Sequence, residues 1–254
     1  MWLMFCSTLL SYGCVQTLLY VGAHPDDETF FAGGTIAKYA EQGTRVAVAC
    51  ATRGERGATA DLCSIEELPK IREAELRDAM HILGVEDVRL LPYEDQKLAE
   101  APLEEIRRQL VEVIRTTRPQ IVITFDPNGA NLHTDHMAIS RFTSDALAAV
   151  ADDRWYPELG PAHTIERLLW QPPTVIFRYP EETNLQIEPG IDFLIDTSRW
   201  SAQKAGAIRA YRTQRLGRLF FDDANGRRTF GTEAFRVGWG ARPKRVPAGD
   251  LFAA

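Results

Sequence analysis

The 254-residue chain has no block of like charges, no low-complexity tract, no internal repeat and no unbroken apolar run of bilayer length. Its 29 basic and 35 acidic residues leave a net charge of −6, so bulk attraction to nucleic acid or an anionic membrane is excluded. The four cysteines, Cys6, Cys14, Cys50 and Cys63, form no CxxC pair. They offer neither zinc-finger spacing nor a disulfide framework, and a reducing, cytoplasmic setting follows. G-x-G-x-x-G and G-x-S-x-G are also missing, which removes the dinucleotide fingerprint and the serine-hydrolase elbow. Gly33-Gly34 reads instead as close packing of a helix on its strand. No Lys or Arg precedes Lys38, so apolar Met1 to Leu10 lacks the positive n-region and A-x-A site of a signal peptide. We read residues 1–16 as an extension packed on the domain, or as translation from a start codon set too far upstream. Export is the alternative.

Against these absences stands ordinary globular composition, 45% hydrophobic and 25% charged, in a chain long enough for one large domain over residues 17–254. Thr17 to Gly22 and Arg45 to Ala51 are short apolar runs of the buried parallel-strand type. Between them lies a helical stretch to about Gln42, stopped by Gly43. Ile71 to Leu83 reads as an amphipathic helix, Asp87 to Leu91 as a third strand, Leu103 to Thr117 as a helix and Gln120 to Phe125 as a fourth strand. This alternation predicts an α/β fold: a Rossmann-like, mostly parallel sheet with helices on both faces. Beyond Val150 the pattern loosens into an elaborated C-terminal part. Residues 154–173, with four prolines, read as a long excursion. Thr174 to Arg178 and Ile191 to Ile195 read as strands, and Trp200 to Thr213 as a helix.

In open α/β sheets, function collects in loops beyond the carboxyl ends of strands. Two such loops carry His24-Pro25-Asp26-Asp27 and His133-Thr134-Asp135-His136, holding three of the five histidines. A borderline cation such as Zn²⁺ takes imidazole nitrogen and carboxylate oxygen, and a hydrolytic site keeps one position for water. Two histidines and one carboxylate suffice. The His24-x-x-Asp27 spacing lets one tight turn point both side chains at an ion and leaves Asp26 free to take a proton from water. His133 and His136, spaced i, i+3, share a helix face. One can ligate while the other, as an imidazolium, meets an oxyanion or a leaving amine. Asp135 between them can orient a histidine. A lone HxxH is ordinarily a solvated face, and Asp-Asp after Pro is ordinarily a helix cap. Both at one sheet edge are two coincidences.

AHPDDE followed by a distal HxDH on such a scaffold resembles the PIG-L/LmbE-like family of metal-dependent de-N-acetylases. The similarity covers roughly residues 17–150. More faintly it includes the TRGERG loop at 52–57, Arg72-x-x-Glu75, and Asp196, Lys204 and Tyr211-x-Thr213-Gln214. The resemblance implies His24, Asp27 and His136 as zinc ligands, with Fe²⁺ or Co²⁺ as alternative occupants. It implies Asp26 as general base, His133 as oxyanion stabiliser or acid, Asp135 as the partner that tunes His133, and Arg72 and Asp95 as contacts to substrate hydroxyls. The expected activity is removal of an N-acetyl group from a small N-acylated substrate, an N-acetylglucosamine derivative first. The alternatives are an amidase on a thiol conjugate or N-acyl antibiotic, and a non-catalytic sugar- or nucleotide-binding module. Nucleic acid and membrane spans are not expected; a homo-oligomer is compatible with the sequence. Where some members carry a mobile aromatic two places before the first histidine of HxDH, this chain has Asn131. His81 and His163 read as structural or solvated. The late aromatics Trp200, Tyr211, Phe220, Phe221, Phe230, Phe235 and Trp239 read as core, with a sugar or acyl pocket as the alternative.

Overall fold

The computed structural model describes residues 15–172, 190–215 and 231–254. Strand β1 (Thr17–Gly22) is buried at every position, and its alternate side chains enter two separate cores. Leu18 and Tyr20 face one side; Leu19 and Val21 face the other. Strand β2 (Arg45–Thr52) splits the same way, Val46, Val48 and Cys50 against Ala47, Ala49 and Ala51. This two-residue alternation with both faces apolar is what a helix-covered parallel sheet demands.

The first core is closed by helices α1 (Asp27–Glu41) and α2 (Leu68–Leu83), through Ile36, Leu76 and Met80. The second is closed by α3 (Leu103–Thr117), through Ile106, Leu110 and Ile114. After β3 (Asp87–Tyr93) and β4 (Ile121–Phe125) come a single distorted turn, α4 (Gly129–Leu132), and α5 (Thr134–Val150), which also covers the second face. Gly84 ends α2 in the left-handed region at φ 82°, and Val85 N–H returns to Met80 O at 2.8 Å. The glycine that follows the helix is thus a true C-terminal cap.

The chain continues through β5 (Arg167–Gln171), β6 (Phe193–Asp196), α6 (Ser201–Ala210) and β7 (Thr232–Gly240). The sheet order is β3-β2-β1-β4-β5-β7-β6, with β7 antiparallel to both neighbours and the other pairings parallel. The expected α/β architecture is therefore present. Two corrections apply in its second half. The proline-rich excursion contains β5, a full partner of β4 from Ile121↔Arg167 to Phe125↔Gln171. The helix expected to reach Thr213 ends at Ala210 and gives way to a 3₁₀ turn at Arg212–Gln214. The strand expected over Thr174 to Arg178 lies outside the described residues. No described helix is long and apolar enough to cross a membrane, and Cys50 and Cys63 are free.

The order in which strands are added reverses between the parallel neighbours β1 and β4: β2 and β3 lie beyond β1, and β5 lies beyond β4. A doubly wound sheet opens a crevice at such a switch point, at the carboxyl ends of its strands. The loops leaving β1 and β4 border it.

Candidate metal centre

Both histidine loops meet over that crevice. His24 Nδ1 is 3.2 Å from His136 Nε2, and His136 Nε2 is 3.2 Å from Asp27 Oδ1. Asp27 Oδ2 lies 3.6 Å from His24 Nδ1 and accepts the backbone N–H groups of Ala23 and His24 at 2.9 and 2.8 Å. The turn from β1 into α1 therefore locks the carboxylate by one oxygen and presents the other. His136 is set from behind: its Nδ1 meets Gly129 O at 3.1 Å, and its ring stacks on Phe125 with centroids 3.9 Å apart and planes 4° from parallel. That leaves Nε2 as the atom facing Asp27 and His24. The two nitrogens are 3.2 Å apart, and the carboxylate brings Oδ1 to 3.2 Å from His136 Nε2 and Oδ2 to 3.6 Å from His24 Nδ1, spacings of the order found between ligands of a tetrahedral cation. Ligand bonds of about 2.0–2.1 Å put neighbouring ligand atoms about 3.3 Å apart.

The other nitrogen of His24 faces two carboxylates. Nε2 is 3.2 Å from Asp135 Oδ2 and 3.2 Å from Asp95 Oδ1. Asp135 is fully buried, and its oxygens also accept the N–H groups of Gln96 (2.6 Å) and Leu98 (3.3 Å). Asp95 Oδ2 accepts from Arg56 N–H at 3.0 Å, within the TRGERG loop. His24, Asp95 and Asp135 form one group able to hold a metal; His24, His133 and His136 form another. Burial alone would lower the pKa of His24, but Asp135, Asp27 and Asp95 hold it well above the usual histidine value. Burial would raise Asp27, but His136 and His24 hold it well below the usual carboxylate range.

Asp26 stands beside this cluster without joining it. Its backbone is left-handed, φ 114°, and its carboxylate takes a 2.9 Å bond from Arg72 Nη2. Enclosure pushes its pKa up against the pull of Arg72, and the Asp27 charge adds to the rise, to about 6. His133 caps α5: its Nδ1 accepts the N–H of Asp135 at 3.2 Å, so in the neutral ring Nε2 carries the proton. Burial and the neighbouring His24 and His136 lower its pKa.

Three sequence expectations are relocated. The Asp135 carboxylate serves His24, not His133, which it meets only through the backbone. Arg72 is 3% exposed and donates to Asp26, Pro25 O and Gly54 O, so it faces the loop rather than open solvent. Asp95, expected to contact substrate hydroxyls, is 4% exposed and turned toward His24. Asn131 Oδ1 accepts His133 N–H at 3.1 Å. His163 Nε2 bonds Pro119 O at 2.7 Å, and His81 is exposed on α2. Tyr211 and Phe235 are core, Trp239 is exposed, and Phe220, Phe221 and Phe230 lie outside the described residues. Glu28, which closes the AHPDDE run, had no assigned role, and Tyr211, expected as core or pocket wall, also donates its hydroxyl to Glu28.

The sequence profile of the GlcNAc-PI de-N-acetylase (PIG-L) family matches residues 19–147. A 1D-myo-inositol 2-acetamido-2-deoxy-alpha-D-glucopyranoside deacetylase of Geodermatophilus obscurus is 32% identical, over 89% of this chain and 93% of its own length. Among solved structures, a conserved protein of Thermus thermophilus matches with TM-score 0.69 and 26% identity, covering 92% of this chain and 99% of that one. The N,N'-diacetylchitobiose deacetylase of Pyrococcus horikoshii shares the fold with TM-score 0.69 and 23% identity, over 87% of this chain and 83% of that one.

Proposed function

Because the chain belongs to the GlcNAc-PI de-N-acetylase (PIG-L) family, we propose that it hydrolyses the N-acetyl group of an N-acetylglucosamine derivative at a zinc site made by His24, Asp27 and His136. The inositol-linked sugar named for its relatives is the first substrate to test. The observation that carries this reading is the convergence of His24 Nδ1, His136 Nε2 and Asp27 at 3.2–3.6 Å, with Asp26 beside them. An N,N,O donor set suits Zn²⁺, and Fe²⁺ or Co²⁺ can occupy the same ligands. The group built on His24 Nε2 is the second candidate, since it brings one histidine nitrogen and two carboxylates where the first brings two nitrogens and one carboxylate. Those carboxylates fit better as acceptors that fix the His24 ring.

A divalent cation bound here polarises the acetyl carbonyl and makes water nucleophilic at neutral pH. Asp26, raised to about 6 and ionised at neutral pH, removes the proton from the attacking water. His133, whose Nδ1 accepts the Asp135 N–H, directs an N–H on Nε2 that donates a hydrogen bond to the oxygen that gains charge. The proton gathered by Asp26 then passes to the leaving nitrogen, releasing the amine and acetate. The test is amine release from a panel of N-acetylglucosamine derivatives, with and without chelator. Release that stops on chelation and returns with Zn²⁺ supports the reading; release indifferent to chelator overturns it.

A further inference from the structure

We propose that Tyr211 and Glu28 act as a positioning relay that holds Asp26 in its working conformation. The inference rests on the reading of Asp26 as base. Asp26 is a non-glycine residue at φ 114°, ψ −26°, where Cβ crowds the backbone. Such a conformation persists only when its surroundings over-determine it. Three contacts do so here. Asp26 O accepts Phe30 N–H at 2.8 Å, Arg72 holds the carboxylate, and Asp26 N–H donates to Glu28 Oε2 at 3.2 Å.

The third contact is the unusual one, because it uses a buried acid. Glu28 is 1% exposed and has no open path to a substrate. Its Oε1 accepts from Thr29 Oγ1 at 2.6 Å and from the Tyr211 hydroxyl. Two hydroxyls therefore fix one oxygen and aim the other at the strained residue. Tyr211 follows α6, is 183 residues from Glu28 and lies beyond the segment matched by the family profile. Its ring is packed in the first core among apolar side chains, so its hydroxyl is immobile. The second half of the chain thereby sets the angle at which the base meets water. Since Asp27, the next residue, is locked separately by the Ala23 and His24 N–H groups, loosening the relay disturbs the base and leaves the metal ligands in place.

Tyr211→Phe removes one oxygen and no packing volume. Glu28→Gln keeps the shape of the acid but turns an N–H₂ group either toward Asp26 N–H or toward the two hydroxyls. We expect each variant to lower kcat about 10- to 100-fold, the scale of a small misplacement of a reacting group. KM and zinc per chain should equal wild type. The double variant should be no slower than the slower single, because the pair acts as a unit. The relay is overturned if both single variants keep wild-type kcat, if lost zinc or raised KM accounts for the whole loss, or if the two losses multiply. Should Tyr211→Phe not fold, Glu28→Gln alone decides by the same kcat, KM and zinc readings. Asp26→Asn separates the premise from the relay. Full turnover in Asp26→Asn removes the base assignment itself; an inactive Asp26→Asn beside fully active Tyr211→Phe and Glu28→Gln removes only the relay.

Discussion

His24 Nδ1 lies 3.2 Å from His136 Nε2, although 112 residues separate the two histidines. Both atoms are directed at the same point, one by the turn after β1 and the other by Gly129 O and the Phe125 ring. On the proposed reading, a shared cation would satisfy two facing imidazole nitrogens and the adjacent carboxylate together. His136→Ala and Asp27→Asn should each abolish stoichiometric zinc, read by elemental analysis after dialysis. Retention of one zinc per chain in both variants would place the metal elsewhere.

Asp26 has a different fate. Its carboxylate touches Arg72 rather than either histidine nitrogen. Asp26→Asn should keep zinc and lose about 10²–10⁴-fold in kcat, the range for a deleted general base. Steady-state rates on metal-quantified protein check this.

Arg72 is the charged partner of the proposed base. Its guanidinium lowers the Asp26 pKa, which enclosure raises to about 6. If Asp26 is the base, the ionised form is the active one, and rate should fall as pH drops through this pKa. Arg72→Gln removes the lowering charge, and the acid limb of kcat/KM should move to higher pH. A limb that stays in place or moves to lower pH contradicts the pairing.

Gly129 calls for a separate variant because its φ of +66° suits glycine, and an added Cβ would sit 2.8 Å from His136 Cβ and 2.8 Å from Met137 N. Gly129→Ala should push the carbonyl away from His136 Nδ1. Zinc affinity should drop about 10- to 100-fold, as for loss of an outer partner of a ligating histidine. Competition against a chromophoric chelator measures it, with a thermal melt as the control for folding.

Away from the centre, the buried Lys204–Glu233 pair joins α6 to β7 at 2.7 Å, and Glu233 also accepts the N–H groups of Gly34 and Thr35 at 2.9 and 2.8 Å. Glu233→Ala removes the acceptor for all three donors and should cost about 3–5 kcal/mol of stability. Denaturant unfolding reads the loss directly.

Much of this was legible in the sequence where local chemistry decides. The apolar alternation of Thr17–Gly22 and Arg45–Thr52 specifies strands buried on both faces, and Gly84 specifies a helix end. β5 was hidden because its five residues, RLLWQ, sit among prolines and contain no β-branched side chain. β7 was hidden by Gly238 and Gly240 in its own run. Each becomes a strand because its neighbour supplies the ladder, an influence that no short window of sequence contains.

The centre divides along the same line. Residue types and spacing alone singled out His24, Asp26, Asp27, His133 and His136 as the candidates that the fold then brings together, since a metal's ligand preferences and a tight turn's reach are local facts. Only the packed chain decided that Asp135 and Asp95 turn to His24, that Arg72 lies against Asp26, and that Tyr211 reaches Glu28. Those pairings depend on how the crossovers stack loops from distant strands over one crevice. A side chain's partner there is set by the buried donors and acceptors left to satisfy, which exist only once the layers close.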